Sequence, residues 1–218
     1  MHNRRRFIKM ILGFLGGLGL ALSPIARGVG VVFARVKKMI LPKGTRMGTL
    51  VDKNPADLDT RNLDVTPVEA FGTMGLDDYQ VNLNDWKLEI GGHVQHPLRL
   101  TYGELVKMPP IEKKVLLICP GFFAYHARWK GVSVAKLLEK ARMITGVTHV
   151  SFSGPDGTYE KTERFPIEDI LSCKVFLAYS VNGSVLPKKH GFPLRVVAED
   201  YYGGDWVKYV SRVTAHKS

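Results

Sequence analysis

The residue with the most chemical potential is Cys119. It closes the run Leu116-Leu117-Ile118-Cys119 and is followed by Pro120-Gly121. A side chain at the exit of a buried strand is held from behind and open in front. Pro120 removes a backbone donor there, and Gly121 lets a ligand come close to the main chain. A thiolate so placed is a good ligand for a thiophilic metal, although the remaining ligands must come from elsewhere. The plainer alternative is a small buried hydrophobe. Shortly after come Tyr125, His126 and Arg128, read as part of a short loop. His126 can move a proton at ordinary pH. Tyr125 can hydrogen-bond a reacting oxygen, and Arg128 can hold an anion; the alternative for each is an ordinary surface residue. The second cysteine, Cys173, reads as structural. Two cysteines can form one disulfide in an exported protein. They are too few for a CxxC zinc knuckle or an iron–sulfur cluster.

Such residues need elements to hold them. Residues 86–90 alternate as a strand ended by Gly91-Gly92. Thr101 and Glu104 form a capping box that opens a short helix to about Met108, stopped by Pro109-Pro110. Residues 114–119 form a short apolar strand leading to the cysteine. Ser133 caps a helix carrying Val134, Leu137, Leu138 and Ala141 at helical spacing. Residues 149–153 alternate as a strand, and Pro166 opens another short helix. Residues 175–181 form a strand that turns through Asn182-Gly183 into Val185-Leu186. Residues 194–198 and 206–215 supply two more strands. About eight strands and three short helices in mixed order make an α+β fold, not a βαβ repeat. No internal repeat and no Gly-rich dinucleotide loop is present.

Charge separates the chain into two parts. The formal net charge is +11, which taken alone suggests an acidic partner. Residues 1–51 hold ten Lys or Arg and no Asp or Glu, so the rest carries twenty-one basic against twenty acidic residues. The body is therefore nearly neutral, and no nucleic-acid signature is found in it. The start reads Arg4-Arg5-Arg6-Phe7-Ile8-Lys9, followed by an apolar, glycine-rich run over residues 10–26. A basic stretch before an apolar one is an export signal or anchor. The Arg4-Arg5 pair, with Phe7 and Lys9 at their offsets, resembles the twin-arginine motif, which implies export of a folded protein. The expected organisation is a signal or anchor at 1–26, a basic linker at 27–49 and one domain at 50–218. Residues 27–43 mix basic and apolar side chains and can lie on anionic lipid or serve as a solvated linker. No clear cleavage site is visible, so an uncleaved, membrane-associated N-terminus is one of the expected forms.

The C-terminal third carries a longer pattern: Leu177-Ala178-Tyr179, Asn182-Gly183, Leu186-Pro187, His190-Gly191-Phe192-Pro193-Leu194-Arg195, then Tyr202-Gly203-Gly204 and Val207-Lys208-Tyr209. In residue type and spacing it resembles the sulfite-oxidase family of molybdopterin enzymes. Upstream, residues 66–71, 86–101 and the passage from Cys119 to Trp129-Lys130-Gly131 fit the same pattern. The likeness covers residues 50–216. It implies a single β-rich molybdopterin-binding domain and makes Cys119 the protein's ligand to molybdenum. It also implies that His190, Arg195 and Lys208, with the Tyr202-Gly203-Gly204 loop, hold the pterin and its phosphate. Arg as a fork and Lys as a point charge suit a phosphate, and glycines let backbone approach a flat ring. Where sulfite oxidases carry Arg, Asn and His after the entry phenylalanine, this chain reads Phe71-Gly72-Thr73-Met74-Gly75. After Cys119, where sulfite oxidases carry a long loop, the stretch from Pro120 to Arg128 is short, and in this the chain is more similar to the bacterial periplasmic branch, which contains methionine sulfoxide reductase catalytic subunits. The implied activity is oxygen-atom transfer to or from a small molecule in the periplasm. Electrons would pass to a separate partner, a membrane or c-type cytochrome. Sulfite oxidation and a non-catalytic pterin-binding or assembly module are the rival expectations.

Overall fold

The computed structural model describes residues 37–157 and 161–217. The twin-arginine stretch and the apolar run lie outside the described residues. The described part belongs to one compact unit, Lys37–Ser218. Among the described residues no helix is long and apolar enough to cross a membrane.

Among the described residues twelve strands and three short α-helices follow in mixed order, as α+β. One five-stranded sheet is antiparallel. It runs β5 (Ile111–Cys119), β6 (Phe123–Val132), β9 (Val175–Val181), with β10 (Ser184–Val185) and β11 (Arg195–Ala198) both pairing β9. The other runs β4 (Leu98–Thr101), β3 (Lys87–Gly92), β12 (Arg212–Lys217), β7 (Val147–Ser153), β8 (Thr162–Pro166), with β3 and β12 parallel. Every residue of β9 is buried, so this strand reads as a continuous apolar run. The main core joins both sheets through side chains such as Leu88, Trp129, Phe152, Phe176 and Val197.

Local signals behave as their chemistry requires. Thr101 and Glu104 close both halves of the capping box at α1 (Tyr102–Val106). The Ser133 hydroxyl accepts from Lys136 N at α2 (Val134–Lys140), and Pro166 precedes α3 (Ile167–Leu171). Asn182 and Gly183 both take positive φ, as the tight turn from β9 to β10 demands.

Three expectations change. Residues 37–49, expected as linker, contribute a strand: β1 (Met39–Ile40) pairs β2 (Leu58–Asp59) in parallel, and Leu41 and Leu50 are buried against β5 and β6. The stretch after Cys119, expected as a loop to Arg128, is a tight turn, and β6 already begins at Phe123. The strand expected over 206–215 is regular only from Arg212. Tyr209 adopts a φ of 55°, which a strand cannot accommodate, and residues 206–211 run irregularly beside β11.

Candidate active site

The β5–β6 hairpin decides what Cys119 faces. Its register sets Leu117 opposite Tyr125 and Cys119 opposite Phe123. Side chains alternate across a strand, so these four share one face. That face lines a cavity of about 420 Å³. Its other walls come from Gly72–Leu76, His190, Arg195, Gly203, Gly204, Trp206, Lys208, Tyr209, Lys161 and the Gly154-Pro155 turn. The sequence-expected Cys119, Tyr125, His190, Arg195, Gly203, Gly204 and Lys208 are thus brought together.

His126 and Tyr202 are not. His126 pairs with Leu116 on the opposite face of the hairpin, beside the small cluster of Leu41, Leu50, Leu58, Leu63 and Ile118. Its ring Nδ1 lies 3.3 Å from Asp64 O, and its backbone is held by Thr66. Burial pushes its pKa down. The expectation of a catalytic His126 rested on a loop; on a strand, one residue's shift in register turns the side chain away from the cavity. Arg128 is exposed on the same strand with Glu112 at 3.8 Å, also outside the cavity lining. Tyr202 stays partly exposed and does not line the cavity.

The wall carries positive charge held in place by the protein. Arg195 is 2 % exposed, sits over the rings of Trp129 and Trp206 at 5.1 and 5.4 Å, and donates to His190 O at 3.1 Å. The Lys208 ammonium donates to Thr73 Oγ1 (2.9 Å), Leu76 O (2.8 Å) and Lys189 O (3.0 Å). Burial, helped by Arg195, lowers its pKa to about 8. Burial and the neighbouring cations lower His190 to about 4, so its ring is neutral at pH 7. Tyr125 stacks on Phe71 at 4.0 Å; burial raises its hydroxyl's pKa and keeps the proton on, while Arg195 pulls the other way. Burial also pushes the Cys119 thiol up. Cys119 Sγ lies 3.9 Å from Met74 Sδ. Both cysteines are free, and Cys173 sits by Ser133 at 3.5 Å.

These residues suit a bound pterin. His190 Nδ1 and Nε2, Arg195 Nε, Trp206 Nε1 and Tyr209 Oη are buried without a hydrogen-bond partner, and all four residues line the cavity. Buried polar groups are normally satisfied, so such a cluster is shaped for a polar ligand. At Gly203 a Cβ would come within 2.8 Å of Leu117 Cδ2, so only glycine leaves the loop seated there. Among the described residues no group of three or more His, Cys, Asp or Glu is placed to hold a metal. Sequence reasoning missed Met74, Trp206, Tyr209 and Lys161. Tyr209 belongs to the Lys208 motif and Trp206 borders it, so both could have been found there; Met74 and Lys161 had no signal of their own.

Known proteins are similar to this chain in sequence and in fold. Nitrate reductase [NADH] of Lotus japonicus is 32% identical over 160 residues, covering 60% of this chain and 18% of that protein. The protein-methionine-sulfoxide reductase catalytic subunit MsrP of Gluconobacter oxydans is 29% identical over 143 residues, covering 59% of this chain and 46% of that protein. The chain therefore spans less than half the length of either relative. The sulfane dehydrogenase SoxCD of Paracoccus pantotrophus shares the fold, with a TM-score of 0.61 at 22% identity over 90% of this chain and 55% of that one. The family model for the oxidoreductase molybdopterin binding domain matches residues 75–218, and the chain belongs to that family of oxidoreductases, whose cofactor is molybdenum with molybdopterin.

Proposed function

We propose that this chain is an exported, periplasmic oxidoreductase that transfers an oxygen atom to or from a small molecule. The observation that carries the reading is one cavity lined both by the Cys119 thiol and by the unpartnered polar atoms of His190 and Arg195. When bound, the molybdenum cofactor supplies the two-electron change and the oxygen transfer. Cys119 would be the protein's ligand; it would bind as the thiolate and so lose its proton on loading. Arg195, set against two tryptophan rings, and Lys208 would bind the pterin phosphate, and neutral His190 would offer one donor and one acceptor to the pterin. Tyr125 keeps its hydroxyl proton and directs it into the cavity as a donor to the reacting oxygen. Phe123 and Leu117 exclude water from that face. Electrons are exchanged with a separate redox partner, a membrane or c-type cytochrome. The Arg4-Arg5 motif supports export of the loaded, folded protein.

The test is molybdenum content per chain, on protein from cells that make the cofactor. Near one atom per chain, lost in Cys119→Ser and sharply reduced in Arg195→Ala, is the expected result. Folded protein with almost no molybdenum overturns the reading.

A further inference from the structure

The charge around the thiol is uneven. Four basic residues line the cavity: three make contacts with protein groups, though Arg195 Nε stays open, and the fourth is uncharged. Arg195 lies against the rings of Trp129 and Trp206 and donates to His190 O. Lys208 has three oxygen acceptors. Lys161 reaches the Gly204 carbonyl and has Glu163 at 3.3 Å. His190 is neutral at pH 7. The side chain that meets Cys119 is none of these but Met74, its sulfur 3.9 Å from Sγ. Phe123 lies opposite Cys119 across the hairpin. Arg128, close in sequence, is outside the cavity and beside Glu112.

The segment carrying Met74 adds negative charge. Asp77 and Asp78 follow three and four residues later. Burial raises the Tyr209 hydroxyl to about 12, and both carboxylates add to that rise. Asp77 also acts on Lys208. Thr73, next to Met74, is anchored on the Lys208 ammonium and on Lys189 O. Residue 74 is thereby fixed over the thiol, with 48 % of its surface still open to solvent.

We propose that Met74 sets the charge selectivity of this site: it presents a soft, uncharged surface beside Cys119, so the site takes an uncharged oxygen donor or acceptor and disfavours oxyanions. An incoming anion must shed water, and beside Cys119 it meets a thioether and an aromatic ring instead of a cation. A neutral compound sheds less water and makes favourable contacts with sulfur and ring. The inference rests on the oxygen-transfer reading above, but its geometry stands without the cofactor.

Two measurements on the full chain separate the two ideas. The first needs no cofactor. In a Cys173→Ser background, Cys119 is alkylated with neutral iodoacetamide and anionic iodoacetate. Met74→Arg is expected to lower the iodoacetamide-to-iodoacetate rate ratio about tenfold, while Met74→Leu leaves it within about twofold. The second uses molybdenum-loaded protein with a reduced viologen as electron donor. Wild type is expected to reduce dimethyl sulfoxide with a higher kcat/KM than nitrate, and Met74→Arg to shift that preference toward nitrate. An alkylation ratio unmoved by Met74→Arg, or a wild type that prefers nitrate, overturns the proposal. Protein that holds no molybdenum but shows the alkylation shift supports the role of Met74 and removes only the oxygen-transfer reading.

Discussion

Tyr125 and His126 are neighbours in sequence, both buried, on the same strand, and they do different work. Tyr125 faces the cavity among Leu117, Cys119 and Phe123. His126 faces a packed cluster of leucines, held to Asp64 and Thr66. The two faces of the β5–β6 hairpin thus divide into one that lines the cavity and one that packs. A residue's distance from Cys119 in sequence says little; its parity along the strand says nearly everything. The faces also treat polar groups differently. His126 has a partner for one ring nitrogen, whereas His190 in the cavity wall has none for either. Polar groups left open on the cavity face are therefore a signature of a ligand, while the opposite face minimises them.

The largest effect comes from exchanging adjacent residues on the two faces. Cys119→Ser is expected to remove molybdenum and redox turnover by at least about a thousandfold, with thermal unfolding close to wild type. Ile118→Ala, fully buried on the opposite face, is expected to cost about 3 kcal/mol of stability while each folded molecule keeps its molybdenum. Denaturant unfolding paired with metal analysis checks both. A Cys119→Ser protein that keeps its metal would break the division.

Next in size is the pH response of the two histidines. His190 is held at about 4, well under its ordinary value of 6.5. Above 6.5 neither folded nor unfolded chain protonates it, and its penalty is absent. As pH falls from 6.5 to 4 the unfolded chain takes the proton and the folded chain does not, so stability drops. The loss is at most about 3 kcal/mol and levels off below pH 4. His190→Gln should flatten that part of the urea midpoint curve. His126 shifts in the same direction, so a His126 variant should flatten its own share. Cofactor loading should alter only the share of His190, because the bound pterin changes the surroundings of its ring and leaves those of His126 as they are. Equal sensitivity of both shares to loading would count against the placement of His190 in the site.

Much of this was legible in the sequence where the signal was local or rigidly spaced. The capping box, the Ser133 cap, the Asn182-Gly183 turn and the Pro166 helix start are short-range bonds encoded within a few residues. The His190, Arg195 and Lys208 set was legible as a motif, because its spacing spans one hairpin return. The fate of residues 120–128 was not. Pro120-Gly121 reads as the start of a loop, and only pairing with β5 fixes the strand and its parity. Met74 was hidden for the same reason: its place over Cys119 comes from Thr73 meeting Lys208, residues 135 positions apart. Long-range contact assembles that corner, and no window along the chain contains it.

The finer test of the Tyr125 side is loss of one oxygen. Tyr125→Phe keeps the stack on Phe71 and the ring's place opposite Leu117. Turnover should fall by about one to two orders of magnitude, the size expected for one positioned donor. Molybdenum content should stay at wild type, and KM for a neutral substrate should change little, since the donor matters most as charge builds on the reacting oxygen. A fall in KM-governed binding alone would make Tyr125 a wall residue.

The smallest effect belongs to its neighbour. His126→Leu replaces a ring whose Nε2 has no partner among apolar neighbours. Losing the contact to Asp64 O costs on the order of 1 kcal/mol, and removing the unsatisfied nitrogen returns a similar amount. Net stability at pH 7 should change by less than about 1 kcal/mol, and turnover should stay within about twofold of wild type. At pH 5 the variant should compare better with wild type than at pH 7, because the penalty for keeping a buried histidine neutral has gone. A His126→Leu protein that folds, keeps its molybdenum and loses turnover tenfold would show that the two faces of the hairpin are coupled, and the division drawn from strand parity would fail.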